Sequence, residues 1–349
     1  MKIFVNARFL TQPLSGVQRY GIECSIQIKK LHPDVTFLAP KNILHTDIAK
    51  ELEVKVIGGN TGHLWEQVDL PFYLAGRKHP PLLNLANTAP LLYSNNYLTI
   101  HDLAFYHHPE WNSKAFSTWY NILIPRLAYQ CRHIFTVSQT IKKEIIECYN
   151  INPSKISLTY NGISRNMLAA GGLQNLKKEK IILSVGSFNR RKNHQNLVSA
   201  FLDNDLKNEY QLILVGDKNK AFSESGLDTK NLAGNYINIL EGLSEDELAD
   251  IYRRAGIVAS LSLYEGFGIP LLEGLYNGCR IICSDIPVYR ELYDKYACFC
   301  DPLDIQTIGK ALKMMTTSDM GGNVSDTCPL FEKYNYARSA RTIIDKIIS

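Results

Sequence analysis

Short apolar and β-branched runs recur along the chain, and the segments between them carry apolar residues at helical spacing. In the first half the runs are KIFVNARF, VTFLAP, VKVI, PLLNLA, NYLTI and HIFTVS. Between the first two, Val17, Tyr20, Cys24, Ile28 and Leu31 fall on one face of a predicted helix. A second series follows Asn161-Gly162 and the polar, glycine-bearing stretch SRNMLAAGGLQNLKKEK, whose composition suits a connection between domains. Its runs are IILSVG, QLILVGD, YINIL, GIVASLS and RIICSD. The segment SEDELADIYRRAG has Ser244 and Glu247 at capping-box spacing and predicts a helix that stops at Gly256. LFEKYNYARSARTIIDKIIS predicts a single closing helix. Strand runs alternating with helical segments are the pattern of parallel sheets crossed by helices, here two doubly wound domains in tandem. Such domains gather their loops at the carboxyl ends of the strands, and two that face each other enclose a cleft.

A chain of 349 residues with 45% hydrophobic content has enough apolar material for a large core divided between two domains. The opening MKIFVNARFL has one lysine and an apolar run broken by Asn6 and Arg8, which predicts a first strand and no signal peptide. No window holds about 18 uninterrupted apolar residues, so no spanning helix is expected. The eight cysteines are scattered from Cys24 to Cys328, a spread that predicts a reducing cytoplasm and no disulfide framework. The closest pairs, Cys279 with Cys283 and Cys298 with Cys300, lie in CRIICSD and ACFCD, which alternate like buried strands and argue against a metal site. The net charge of +4 is uneven. Residues 1–175 hold 17 Lys/Arg against 11 Asp/Glu, and residues 176–349 hold 21 against 23. The basic first half is the side suited to an anionic partner.

Three strand-to-helix loops carry chemistry. In QPLSGVQRYG, Gly16 lets the backbone approach a ligand and the following helix offers N–H groups to an anion. In SVGSFNRRKN, Arg190, Arg191 and Lys192 form a cationic loop that opens another helix, suited to phosphate oxygens. In YEGFGIPLLEG, Pro270 marks a helix start, with Glu265 in the loop and Glu273 in the first turn, so that the bend aims two carboxylates at a ligand rich in hydroxyls. The string Asp203-Asn204-Asp205 ends a helical segment and reads as surface.

The string EGFGIPLLE resembles the E-x7-E signature of retaining family 4 glycosyltransferases. NARFLTQPLSGVQRYG, LWEQVDLP, TIHDLAFYHHPEW, FTVSQTIKKEI, LTYNGI and SVGSFNRRKN resemble other stretches of that family, in its order. The likeness runs over nearly the whole length and is nearest to the bacterial mannosyltransferase-like subgroup of O-antigen and capsule synthesis. It implies a GT-B fold: an acceptor-binding Rossmann-like domain over 1–165, a nucleotide-sugar-binding one over 177–333, an active site in the cleft between them, and a closing helix, 334–349, packed back toward the first domain.

The resemblance also implies residue roles. Gly16, Gly186, Arg190, Arg191 and Lys192 would hold the donor diphosphate. Glu273 would accept the ribose hydroxyls, and Glu265, with Gly266, Phe267 and Gly268, would contact the transferred sugar. His101 would line the sugar pocket, while Arg19 and Asp102 would face the acceptor, Asp102 being equally able to cap the next turn. Ser187 follows Gly186 where many relatives have Arg, which shifts phosphate contact toward residues 190–192. The implied reaction is metal-independent transfer of a hexose, with GDP-mannose favoured as donor, and needs no cofactor. The implied acceptor is a sugar on a lipid pyrophosphate at the anionic inner face of the membrane, with no nucleic acid involved. KAFSTWYNILIPRLAYQCRH, which places Lys114, Trp119, Tyr120, Arg126, Tyr129 and Arg132 on a helix interrupted by Pro125, is the segment expected at that surface. Competing readings are an epimerase or phosphorylase of the same fold and a non-catalytic sugar-nucleotide-binding protein. A nicotinamide-linked oxidoreductase would require G-x-G-x-x-G, which neither series contains.

Overall fold

The computed structural model describes residues 2–171, 177–216, 236–317 and 328–349. The middle of the predicted connection (172–176) and Asp217, the last residue of the run QLILVGD, lie outside them. The chain forms two compact units, one of Met1–Asn161 with Tyr334–Ser349 and one of Gly162–Lys333.

The first unit is built on a seven-stranded sheet. Its strands are β1 (Phe4–Asn6), β2 (Thr36–Ala39), β3 (Lys55–Val56), β4 (Leu82–Asn84), β5 (Asn96–Ile100), β6 (His133–Thr136) and β7 (Ile156–Leu158). They run in the order β3-β2-β1-β4-β5-β6-β7 and every pairing is parallel. Six of them fall within the apolar runs read above. The edge strand β7 is three residues, ISL, too short to stand out as a periodic run.

The second unit has β8 (Glu179–Val185), β9 (Gln211–Val215), β10 (Ile237–Leu240), β11 (Ala255–Ser260), β12 (Arg280–Ser284) and β13 (Ala297–Cys300), parallel in the order β10-β9-β8-β11-β12-β13. In both sheets the order reverses beside the first strand, between β1 and β4 and between β8 and β11. Ligands of doubly wound sheets bind outside the carboxyl ends of the strands at that reversal.

The elements follow from local chemistry. Ser244 accepts from the Glu247 amide while the Glu247 carboxylate accepts from the Ser244 amide, which closes the capping box of the helix Glu245–Arg254. Gly256 does not end that helix. It sits inside β11 where the register to β8 shifts, and a side chain there would come 2.9 Å from the Glu179 carbonyl. Close packing of strands selects this glycine, and the chain passes from helix to strand at Ala255 without a left-handed turn.

Pro125 does not interrupt its helix, which runs unbroken from Lys114 to Gln130. The proline removes one rung, the bond to the Asn121 carbonyl. The predicted closing helix is two, Cys328–Lys333 and Tyr336–Ile348, because Asn335 stops the first and caps the second by accepting from the Arg338 amide at 2.8 Å. The second packs in the first unit, where Tyr336 meets the Tyr20 ring edge-on and Ser339 Oγ donates to the Tyr160 carbonyl. The helix from Gly62 to Ala75, with a wide π turn at Trp65–Asp69, is among those not read from the sequence. The turn precedes Pro71, which has no N–H to return to the Gln67 carbonyl. Trp65, Leu70 and Leu74 on this helix pack with Phe4, Leu38 and Leu82.

Two deeply buried histidines make folding sensitive to acid. Burial, and then Lys346, Lys142 and Lys155, lower His133 to about 4, while burial and Lys192 lower His194 to about 3. Unfolded, both take a proton near pH 6.5, so the unfolded chain binds more protons below that value. Stability should therefore fall as the pH drops from about 6.5 toward 4, by up to roughly 1.4 kcal/mol per pH unit for each group. Urea unfolding at stepped pH checks this, and His133→Gln should flatten the slope.

Candidate functional site

In the second unit the candidate residues converge on two neighbouring loops at the carboxyl ends of β8 and β11. The β8 loop turns at Gly186, which packs against the Lys192 stem, and ends in a single 3-10 turn, Arg190–Lys192. Asn189 shapes this turn by accepting from the Lys192 amide at 3.2 Å. The loop after β11 is joined to it by a backbone bond from the Leu263 amide to the Arg191 carbonyl, 2.8 Å. Across this junction the Lys192 ammonium forms a close ion pair with Glu265 Oε1, which also accepts from Ser262 Oγ at 2.9 Å.

Burial works to raise the Glu265 carboxyl, but Lys192, then Arg191, and the hydrogen bonds from Lys192 and Ser262 hold it below the usual range. An anionic oxygen thus stands beside two cations in a largely desolvated setting. Arg190 is exposed.

Gly268 makes the bend that follows. Its φ of +88° is left-handed, and a side chain on it would lie 2.5 Å from Tyr289 Cε1. The helix Ile269–Tyr276 starts there, with Pro270 second and Glu273 fifth, so Glu273 stands a turn further in than its expected first-turn place. It is buried. Gly266 is buried, and Phe267 is buried edge-on to Tyr293. Tyr289 hydroxyl pairs with Ser260 Oγ at 2.8 Å and Tyr293 hydroxyl donates to the Gly268 carbonyl at 3.0 Å, so both tyrosines brace the bend. Sequence reasoning missed them, and their four-residue spacing in PVYRELY is the only trace.

In the first unit, His101 follows β5 and is buried. Its Nε2 lies 2.8 Å from the Leu85 carbonyl, and a carbonyl only accepts, so Nε2 carries the proton and Nδ1 the lone pair. Its amide donates to Asn87 Oδ1, and Tyr20 meets the ring edge-on at 4.8 Å. Burial lowers its basicity, offset in part by the Leu85 bond and Asp102, so the ring is neutral near pH 7. Asp102 Oδ1 accepts from the Ala104 amide, the turn-capping contact. Gly16 is exposed as the first residue of the helix Gly16–Leu31, and Arg19 is half-buried on its first turn.

A second buried polar group, absent from the candidates, lies on the same sheet edge. Arg8 Nε donates to Glu66 Oε1 at 3.1 Å and its Nη2 donates to Thr88 Oγ1 at 2.8 Å. Glu66 Oε1 also accepts from Asn6 Nδ2 at 2.8 Å and from Thr88 Oγ1 at 3.0 Å. Both charges were visible in NARFL and LWEQVDLP, but nothing in their 58-residue separation announces the pair.

Two parallel-sheet units, each with its charged and hydrogen-bonding residues on loops at the carboxyl edge, define the GT-B class of glycosyltransferase fold. A crystal structure of a glycosyltransferase from Rickettsia africae ESF-5 aligns with a TM-score of 0.74 and 15% identity, over 99% of this chain and 97% of that one. The structure of Anabaena Alr3699/HepE in complex with UDP and glucose aligns at 0.74 and 14%, over 100% and 99%.

Residues 15–166 match the family model Glycosyltransferase Family 4, and residues 172–321 match Glycosyl transferases group 1. Together the two matches span most of the chain, which belongs to this family of glycosyltransferases. It is 30% identical over 230 residues to the O-antigen chain mannosyltransferase RfbU of Salmonella typhimurium, 65% of this chain and 62% of that protein. It is 26% identical over 221 residues to O-antigen chain mannosyltransferase B of Escherichia coli, 60% of this chain and 58% of that one. The chain thus spans less than two thirds of the length of either relative.

The ion pair has a measurable signature. Lys192→Met should leave Glu265 buried without its cation and cost about 3 kcal/mol, whereas Lys192→Met with Glu265→Leu should recover most of that loss. Urea unfolding of the two single variants and the double variant measures the coupling, and strictly additive effects would show that the pair does not act as a unit.

Proposed function

We propose that the chain transfers a hexosyl group, mannose from GDP-mannose in the favoured case, from a nucleoside-diphosphate sugar to a sugar acceptor with retention at the anomeric carbon, in the building of a bacterial surface polysaccharide. The observation that carries this reading is the Lys192–Glu265 pair beside Arg191. A diphosphate set against Lys192 and Arg191 meets two cations that stabilise charge on the departing phosphate. As Lys192 turns toward phosphate, Glu265 becomes an acceptor for hydroxyls of the sugar. Glu273, on the helix behind the Gly268 bend, is assigned to the ribose hydroxyls, and Gly16 to the diphosphate. His101, neutral and with its Nδ1 lone pair, suits a hydroxyl of the transferred hexose.

In this mechanism no protein nucleophile and no metal takes part. The acceptor hydroxyl attacks the face the diphosphate leaves, and its proton passes to a phosphate oxygen. The names of the relatives support the substrate class: two are O-antigen chain mannosyltransferases, and a third, from Campylobacter jejuni and 25% identical over 213 residues, is named as acting on a sugar-diphospho-undecaprenol.

A thermal-shift panel of GDP, UDP, dTDP and ADP tests the donor class. One diphosphate should stabilise the chain by about 2.7 kcal/mol at a hundred times its dissociation constant. With the matching sugar nucleotide, transfer into a membrane lipid extract should persist in EDTA. No shift with any diphosphate defeats the reading, and loss of transfer in EDTA that magnesium or manganese restores defeats its metal-free form.

The acceptor side is assigned to the first unit, which holds 19 Lys/Arg against 12 Asp/Glu, a net +7, while the second holds 19 against 22, a net −3. On the helix Lys114–Gln130, Phe116, Trp119, Ile122 and Tyr129 are exposed, whereas Tyr120 is drawn inward against Phe105 and Phe116. Among the described residues no helix is long and apolar enough to cross a membrane. Exposed aromatic residues on a basic unit suit an anionic lipid surface, each Lys or Arg there contributing about 1 kcal/mol. Flotation with anionic vesicles should recover the chain at low salt and lose it at high salt. Equal recovery with neutral vesicles would remove the electrostatic part of this assignment.

A further inference from the structure

The buried Arg8–Glu66 pair has an unused side. Three donors, Asn6, Arg8 and Thr88, converge on Glu66 Oε1. Oε2 faces His63 Nδ1 at 3.4 Å, and among the described residues neither of these two buried atoms has another polar partner. His63 lies one turn before Glu66 on the helix that begins at Gly62. Its Nδ1 is buried, yet its side chain is 38% exposed, so the edge that reaches solvent is the one carrying Nε2. Tyr120 meets the ring edge-on at 6.0 Å.

An ionised carboxylate this close to one nitrogen of a neutral imidazole favours the proton on that nitrogen and leaves the other as a lone-pair acceptor. Burial alone would raise the Glu66 carboxyl. Arg8 foremost, then His63 and Asn6, bring it down to about 2, so it is ionised at any working pH.

The place of the pair is informative. Residues 85–89 follow β4 at the sheet reversal and are tied at both ends: the Leu85 carbonyl and Asn87 side chain to His101, and Thr88 to Arg8 and Glu66. Two imidazoles are therefore set from one short loop, His101 directly and His63 through Glu66. His101 has Nε2 bonded to the Leu85 carbonyl and His63 has Nδ1 facing the Glu66 carboxylate, so in the neutral rings Nδ1 of the first and Nε2 of the second are the lone-pair acceptors.

We infer that His63, oriented by Glu66, is the acceptor subsite of this chain, where its outward Nε2 accepts a hydrogen bond from a hydroxyl of the acceptor sugar. The inference rests on the transferase reading above and assigns a residue to the acceptor side of that reaction. Glu66 acts through His63, as a positioning residue, and Arg8 and Thr88 hold it in place.

Two measurements test it. Long-range proton–nitrogen spectra of the intact, unliganded chain should show His63 with its proton on Nδ1, and Glu66→Gln should shift that tautomer balance. With a membrane lipid extract as acceptor, His63→Gln should raise the half-saturating extract concentration about tenfold, with binding of the nucleoside diphosphate unchanged. Because the ring is partly exposed, the variant should keep the wild-type melting temperature. A proton on Nε2 in the unliganded chain, or a half-saturation within twofold of wild type, overturns the inference. A wild-type chain that binds no nucleoside diphosphate overturns the transferase reading instead, and the thermal-shift panel reports that separately.

Discussion

A carboxylate taken out of water must find a cation or lose its charge, and in the second unit that requirement is met by Lys192 reaching Glu265. Much of the surrounding architecture follows from this contact. Lys192 reaches Glu265 because Asn189 tightens its turn and because the Leu263 amide and the Arg191 carbonyl tie the two loops together. Glu265 stays in place because Ser262 holds the same oxygen and because Gly268 turns the chain sharply under Tyr289. The two loops come from β8 and β11, adjacent strands at the reversal of the sheet, where doubly wound sheets take their ligands.

The first unit solves the same problem with a more deeply buried pair. Arg8 and Glu66 share Thr88, and Asn6 adds a third donor to the carboxylate, so most of the hydrogen-bonding capacity of the group is used inside the protein. Side chains confined this way fix the loop 85–89 against β1 and the helix from Gly62, and the same loop positions His101. A polar network of this kind trades the cost of desolvation for a single geometry.

Much of the architecture was legible in the residues. Strands of parallel sheets are buried on both faces and read as continuous apolar runs, and so β1 to β6 and β8 to β12 fall where the runs are. The capping box at Ser244 and Glu247 was legible because it is a contact between residues three apart. Two of the misreadings share a cause. Gly256 looks like a helix stop and is a packing glycine between strands, and Pro125 looks like a break and is one missing rung in a helix held by its neighbours. In both, tertiary contact outweighed a local preference.

The candidate site divides along the same line. Sequence by itself determined which residue types stand on which strand-to-helix loops: the cations after β8, the carboxylates around the Gly268 bend, the histidine after β5. Those follow from local pattern, since loops after parallel strands are set by strand spacing alone. Only the tertiary structure decided the partners. Lys192 meets Glu265 across 73 residues, Arg8 meets Glu66 across 58, and His63 was not visible as a candidate because the carboxylate that orients it is held by residues from β1 and from the loop after β4. Charge pairing over such separations depends on which strands the sheet makes neighbours, and that order is a property of the folded chain, not of any short stretch of it.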